Sequence, residues 1–156
     1  MPQNATPPYR FGDLLALTRQ GWVRRMAREL ADRGYPDYRI TDAASMRLLL
    51  AGPVSIGRFG AVFGVTRQAA RKVVRGLEQR GYATTEADPE DARKVMVVAT
   101  KSGLVYARAV RRAIESLNRS VAQRVSHEQL VAADVVLRAA IDDEQLQNSA
   151  DRIPLP

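Results

Sequence analysis

Cysteine is absent from the 156 residues, which excludes disulfides, thiolate zinc sites, cysteine nucleophiles and thiol redox switches. Histidine occurs once, at His127, and a lone imidazole makes neither a metal site nor a pH switch. No apolar run approaches the roughly 18 residues that a membrane span needs, and residues 1–8 are polar and proline-rich with no signal-peptide core. A cytoplasmic protein without a membrane partner is therefore expected. Acids are also in short supply: 17 Asp and Glu stand against 24 Lys and Arg, a formal net charge of +7. The excess is mostly arginine, the cation best suited to bidentate contacts with phosphate and guanine, so a polyanionic partner is the natural inference.

What is present is a chain 46% hydrophobic, long enough for one compact core. Residues 1–9 read as a flexible arm and 149–156 as a flexible tail, with one folding unit over 10–148 between them. From Phe11 to Ala31 the residues Phe11, Leu14, Leu15, Trp22, Met26 and Leu30 recur at helical spacing, with Gly34 as a stop. Thr41 is placed to cap a second helix bearing Met46, Leu48, Leu49 and Leu50, which Gly52 and Pro53 end. A long seam of Leu104, Ala107, Val110, Ile114, Leu117, Val121 and Val125 predicts a helix from Lys101 that packs against another helix. Ser126 and Gln129 then form a capping box, with Val125 and Leu130 at the staple positions, so a last helix is expected from His127 with Leu130, Leu137 and Ile141 on its apolar face.

The informative stretch runs from Ser55 to Thr100. Ile56, Phe59 and Phe63 mark the buried side of one helix, Gly64 permits a tight turn, Val65 is expected to insert between the helices, and Gly60 allows close approach. Thr66 caps the next helix, whose residues Ala70, Val73, Val74 and Leu77 form one apolar stripe. Its other side carries Arg67, Gln68, Arg71, Lys72 and Arg75, and the first acid is Glu78 near the far end. Such a helix reads base edges in the major groove, where arginine pairs with guanine and glutamine with adenine.

Residues 83–87 and 95–99 read as strands joined by the polar loop 88–94. Helix, turn, helix and hairpin in this order define a winged helix. The fold class expected is mainly α with a small β-wing: a winged helix-turn-helix lobe over about 41–100, flanked by dimerisation helices in 10–34 and 101–148. The loop acids Asp88, Glu90 and Asp91 lie on one exposed turn with no histidine nearby, so neither catalysis nor a metal is expected of them. Asp91 is expected to ion-pair with Arg93, and Arg93 with Lys94 to enter the minor groove.

With Gly64-Val65-Thr66-Arg67-Gln68-Ala69 opening the recognition helix, Leu77-Glu78-Gln79-Arg80-Gly81-Tyr82 closing it, Asp88-Pro89-Glu90-Asp91-Ala92-Arg93 in the wing and Thr100-Lys101-Ser102-Gly103 after it, the chain resembles the MarR family of bacterial transcription regulators. The resemblance spans roughly 44–141. It departs from the family pattern at Phe59-Gly60, where leucine-alanine is usual, and at Ala99, which replaces a leucine. It implies a homodimeric DNA-binding regulator, with Arg67, Gln68, Arg71 and Lys72 on the reading helix, Arg93 as the wing arginine and Asp91 as its partner. The residues themselves add Thr66 and Arg75 to that helix and Lys94 to the wing, and twofold geometry leads to the expectation of a repressor on an inverted-repeat operator. The resemblance also implies release by a small-molecule effector bound between dimer helices and DNA-binding lobes. Trp22, Met26 and Met46 are the candidates to line that cleft, with core packing as their alternative use. No cofactor and no enzyme activity are expected. Two other classes stay open: a winged helix serving protein–protein interaction, and an enzyme on a phosphorylated or nucleic-acid substrate, for which the sequence offers no nucleophile, base or metal cluster.

Overall fold

The computed structural model describes residues 10–141. The expected arm, the tail and residues 142–148 of the last dimerisation segment lie outside them. Helices α1 (Phe11–Ala31), α2 (Asp42–Leu50), α3 (Ile56–Phe63), α4 (Arg67–Gln79), α5 (Lys101–Ala122) and α6 (His127–Ala139) surround a small sheet of β1 (Val54–Ser55), β2 (Ala83–Ala87) and β3 (Val95–Ala99). The sheet order is β1-β3-β2, antiparallel throughout, with Val54 opposite Val97 and Thr85 opposite Val97 from the other side. Both expected wing strands are present at 83–87 and 95–99, and β1 adds a third strand to their sheet that the sequence reading did not include. β1 is only two residues long, and so short a segment carries no period-2 pattern that marks it as a strand.

One core joins these elements. Met26 and Leu30 of α1, Met46 and Leu49 of α2, Phe59 of α3, Val74 and Leu77 of α4, Val97 of β3 and Tyr106, Val110 and Leu117 of α5 are all buried. Each large apolar side chain withdrawn from water contributes about 1.5–3 kcal/mol, which fixes which face of each helix turns inward. α5 crosses both α1 and α2, so the long C-terminal helix carries the winged lobe directly. Its buried row includes Tyr106, Ala109 and Ala113 beside the expected Ala107, Val110 and Leu117, while Leu104, Ile114 and Val121 are half-buried.

The start of α2 differs from expectation. Thr41 precedes the helix but already has helical dihedrals, φ −76° and ψ −17°, and its side chain caps nothing. Asp42 acts in its place, its Oδ2 accepting the Arg39 N–H at 2.9 Å, while the Ser45 hydroxyl donates to the Thr41 carbonyl at 2.7 Å.

The polypeptide is unevenly buried. The first half of α1 exposes Phe11, Leu14, Leu15 and Leu17, and α6 buries none of its residues, exposing Val131, Val135, Val136 and Leu137. No described helix is long and apolar enough to cross a membrane.

Candidate nucleic-acid interface

Two capped helices and a turn build the interface. The Ser55 hydroxyl accepts the Arg58 N–H at 3.2 Å to start α3, and Thr66 Oγ1 accepts the Ala69 N–H at 3.2 Å to start α4. Between them Gly64 adopts φ 61°, and the Val65 and Gly64 amides return to the carbonyls of Gly60 and Ala61 at 3.0 and 3.2 Å. This is the paired hydrogen-bond ending that a left-handed residue allows, and it needs glycine at its pivot. The turn presses on Gly60, where a Cβ would stand 3.1 Å from the Val65 carbonyl oxygen. It is therefore the backbone of Val65 that packs between the helices. The expected insertion of its side chain is corrected, because the residue is 41% exposed. Phe63 is half-buried and stacks on Phe59 with ring centroids 5.1 Å apart.

Ala70, Val74 and Leu77 face the core and set the rotation of α4. Val73 is half-buried at the margin. The opposite face consequently exposes Arg67, Gln68, Arg71, Lys72 and Arg75, and among the described residues none of these cations has an ion-pair partner. Thr66, Gln68, Arg71, Lys72 and Arg75 line a groove of about 630 Å³ along this face. The side chains singled out from the sequence for this helix thus share one cationic, solvent-facing surface.

The wing is a self-braced loop. Asp88 N–H donates to the Lys94 carbonyl at 2.9 Å, and the Asp88 carboxylate accepts the Glu90 N–H at 2.9 Å. Asp91 Oδ1 accepts the Arg93 backbone N–H at 3.1 Å, while its Oδ2 lies 3.8 Å from Lys94 Nζ. The expected Asp91–Arg93 ion pair is therefore corrected. An aspartate in a turn bonds the amide two residues on, and this leaves the Arg93 guanidinium projecting free of Asp91.

Behind the far end of α4 lies a polar cluster that sequence reading missed. The fully buried Asp42 carboxylate receives Arg80 through two parallel bonds of 2.7 and 2.8 Å, and the Tyr106 hydroxyl donates to its Oδ2 at 2.7 Å. Arg80 also donates to the carbonyls of Gly76 at 2.9 Å and Asp37 at 3.1 Å. The Tyr82 ring stacks on Tyr106 at 4.1 Å and lies 5.2 Å below the Arg80 guanidinium, and Tyr35 meets Tyr106 at 4.9 Å. Burial, reinforced by the hydrogen bond to Asp42, pushes the Tyr106 phenol well above its ordinary range. Burial, with the Asp37 carboxylate beside it, pushes Tyr82 up to about 12. Hydrogen bonding to Asp42 raises Arg80 further. No local sequence signal announces this cluster, because its members lie in different elements far apart along the chain.

Of the candidate effector residues, Met26 and Met46 are fully buried in the core and Trp22 is half-buried against it. None of the three lines the cavity of about 180 Å³ between α2 and α5, which is formed by residues including Ala43, Arg47, Leu50, Val110, Arg111 and Ile114. All three instead serve packing, the alternative use expected of them. Among the described residues no group of three His, Asp or Glu side chains is arranged to hold a metal. His127 stands exposed at the first position of α6, between Ser126 and Gln129 of the capping box, whose bonds measure 3.2 and 2.8 Å.

Comparison with known proteins agrees with this geometry. Residues 46–94 match the model of the MarR family. An HTH-type transcriptional regulator of Bacillus subtilis, YcgE, is 27% identical over 110 residues, covering 69% of this chain and 71% of that protein. The PcaV transcriptional regulator of Streptomyces coelicolor, solved with its natural ligand, superposes with a TM-score of 0.69 at 24% identity over 87% of this chain and 93% of that one. Streptococcus pneumoniae FabT, solved in complex with DNA, gives a TM-score of 0.70 at 18% identity over 83% and 90%.

Proposed function

Because this chain is a MarR-family winged helix-turn-helix protein, we propose that it is a sequence-specific regulator of transcription that works by binding duplex DNA in the cytoplasm, without catalysis. The observation that carries the reading is the exposed row Arg67, Gln68, Arg71, Lys72 and Arg75 on α4, held outward by the burial of Ala70, Val74 and Leu77. α4 enters the major groove by its N-terminal turns, while Arg93 and Lys94 reach the flanking minor groove from the wing. Phosphate contacts supply the affinity and base contacts the specificity.

The working form is a homodimer. The exposed apolar residues of α1 and α6 support this, since faces of that kind on terminal helices find cover in a second copy. A twofold dimer presents its two reading helices about 34 Å apart, one turn of DNA, and so selects an inverted repeat. Bound across a promoter it acts as a repressor. The α2–α5 cavity supports a further part of the reading: apolar walls, with Arg47 and the Arg111–Glu115 ion pair among the lining, suit a small, largely apolar effector with a few polar groups. Both PcaV, solved with its natural ligand, and FabT, solved with DNA, share the fold.

The test is binding of the purified protein to labelled duplex from its own upstream region, beside a shuffled duplex, across a salt series. Preference for the upstream duplex with a steep salt slope is the expected result. Equal weak binding to both moves the operator elsewhere in the genome. Absence of binding to either at low salt overturns the reading and favours a protein-interaction module.

A further inference from the structure

The segment between α1 and α2 holds a cation outside both the reading helix and the wing. Arg39 is exposed, and its guanidinium lies across α4 at Gly76, where a Cβ would stand 2.6 Å from Nη1. Glycine within a helix costs roughly 0.5–1 kcal/mol relative to alanine, so α4 is weakened at the position that admits this arginine. The Arg39 backbone is fixed from both sides by Asp42: its N–H donates to Oδ2 at 2.9 Å and its carbonyl accepts the Asp42 N–H at 2.9 Å. Asp42 is itself locked by Arg80 and Tyr106.

Charge accounting then singles out a place for an anion. Arg39, Thr41, Lys72 and Arg80 are among the residues lining a groove of about 300 Å³, and Arg80 is matched there by Asp42 at 2.7 Å and Asp37 at 3.8 Å. Among the described residues no carboxylate comes within ion-pair distance of Arg39 or Lys72. Lys72 and Ala69 also line the groove of the reading face, so the two run into each other along α4. Uncompensated cations held together on a rigid frame favour a phosphate oxyanion.

We propose that Arg39 and Lys72 form a phosphate clamp on the shoulder of α4, gripping the DNA backbone beside the stretch whose bases α4 reads. The clamp rests on the DNA-binding function proposed above. It contributes affinity independent of sequence, and it fixes the depth at which α4 sits in the groove.

The experiment measures affinity for the upstream and shuffled duplexes over a salt series, for the full chain, Arg39→Gln and Gly76→Ala. Arg39 is exposed, and alanine strengthens a helix, so both variants keep the fold. Loss of one phosphate contact lowers the slope of log K against log salt by about 0.9, equivalent to about tenfold weaker binding near 0.1 M salt, by the same factor for both duplexes. Gly76→Ala, which displaces the guanidinium, shifts the slope the same way. If the unaltered protein binds and Arg39→Gln keeps its slope, the clamp is overturned while the regulator reading stands. If the unaltered protein shows no salt-dependent binding to any duplex, both fall. Titration with inorganic phosphate separates the two sources of the anion: saturable binding that Arg39→Gln abolishes, with duplex slopes unchanged, assigns the groove to a free anion and overturns the clamp.

Discussion

Asp42 is a carboxylate at 0% exposure whose oxygens receive a guanidinium, a phenol and a backbone amide. Removing one partner of such a buried pair costs about 3–5 kcal/mol, because the other charge is left without compensation. Asp42→Asn is expected to lower the unfolding free energy by about that amount, read from a urea titration as a lower midpoint at an unchanged slope. Tyr82 gives a separate handle on the cluster. Its pKa is about 12 in the folded protein and near 10 when unfolded. The unfolded chain therefore loses the proton first, and stability present below about pH 10 declines as pH rises toward 12. Urea midpoints measured between pH 8 and 12 should fall only above pH 10 in the full chain, and the fall should be smaller in Tyr82→Phe. Gly103 is a third case at this scale: an added Cβ would run into the Tyr82 carbonyl, so Gly103→Ala is expected to cost about 1–3 kcal/mol, read as a lowered melting temperature. Single residues were legible where their chemistry is local. Thr66 and Ser126 announce their caps from neighbours three positions on, whereas Asp42 and Arg80 are 38 positions apart and reveal their pairing only once α2 and α4 are docked.

The helices and the hairpin were legible as elements because each repeats a period long enough to read. The apolar stripe of α4 separates core from cationic face without reference to anything else in the chain. β1 escaped because its two residues become a strand only through pairing with β3. The wing was read correctly in extent and incorrectly in detail, since turn geometry gives Asp91 to an amide and to Lys94. That detail bears on the proposed function: Arg93 would need no release from an ion pair with Asp91 to contact DNA. Arg93→Ala is expected to weaken operator binding by roughly 1–3 kcal/mol in a fluorescence-anisotropy titration while leaving the melting temperature in place. Unchanged operator affinity in that variant removes the wing from the interface.

For the whole molecule, most of the exposed large apolar residues lie towards the two ends of the described chain, with Leu17 at 58% and Val135 at 62% exposure, while Ile40, Val65 and Val105 are isolated exceptions between them. The sequence shows that these helices carry apolar faces, but it cannot show which of those faces the chain itself covers; α5 is largely used within the chain and α6 is not. If the proposed homodimer uses these faces, the double change Leu17→Glu and Val135→Glu is expected to leave a monomer at micromolar concentration by light scattering. Affinity for the full inverted repeat should then fall toward that for one half-site. A dimer that persists in this variant excludes these faces from the contact.

The Asp42–Arg80–Tyr106 arrangement also bears on when an emerging chain can complete its fold. Asp42 and Arg80 leave the ribosome before Tyr106, the residue that completes their hydrogen bonding from α5. A nascent chain ending at the wing holds the whole reading helix yet lacks both the phenol and the α5 wall that seal it. The winged lobe is thus not a detachable cassette: a fragment stopping at Ala99 is expected to populate an open, protease-sensitive form, detected by limited proteolysis beside the full chain.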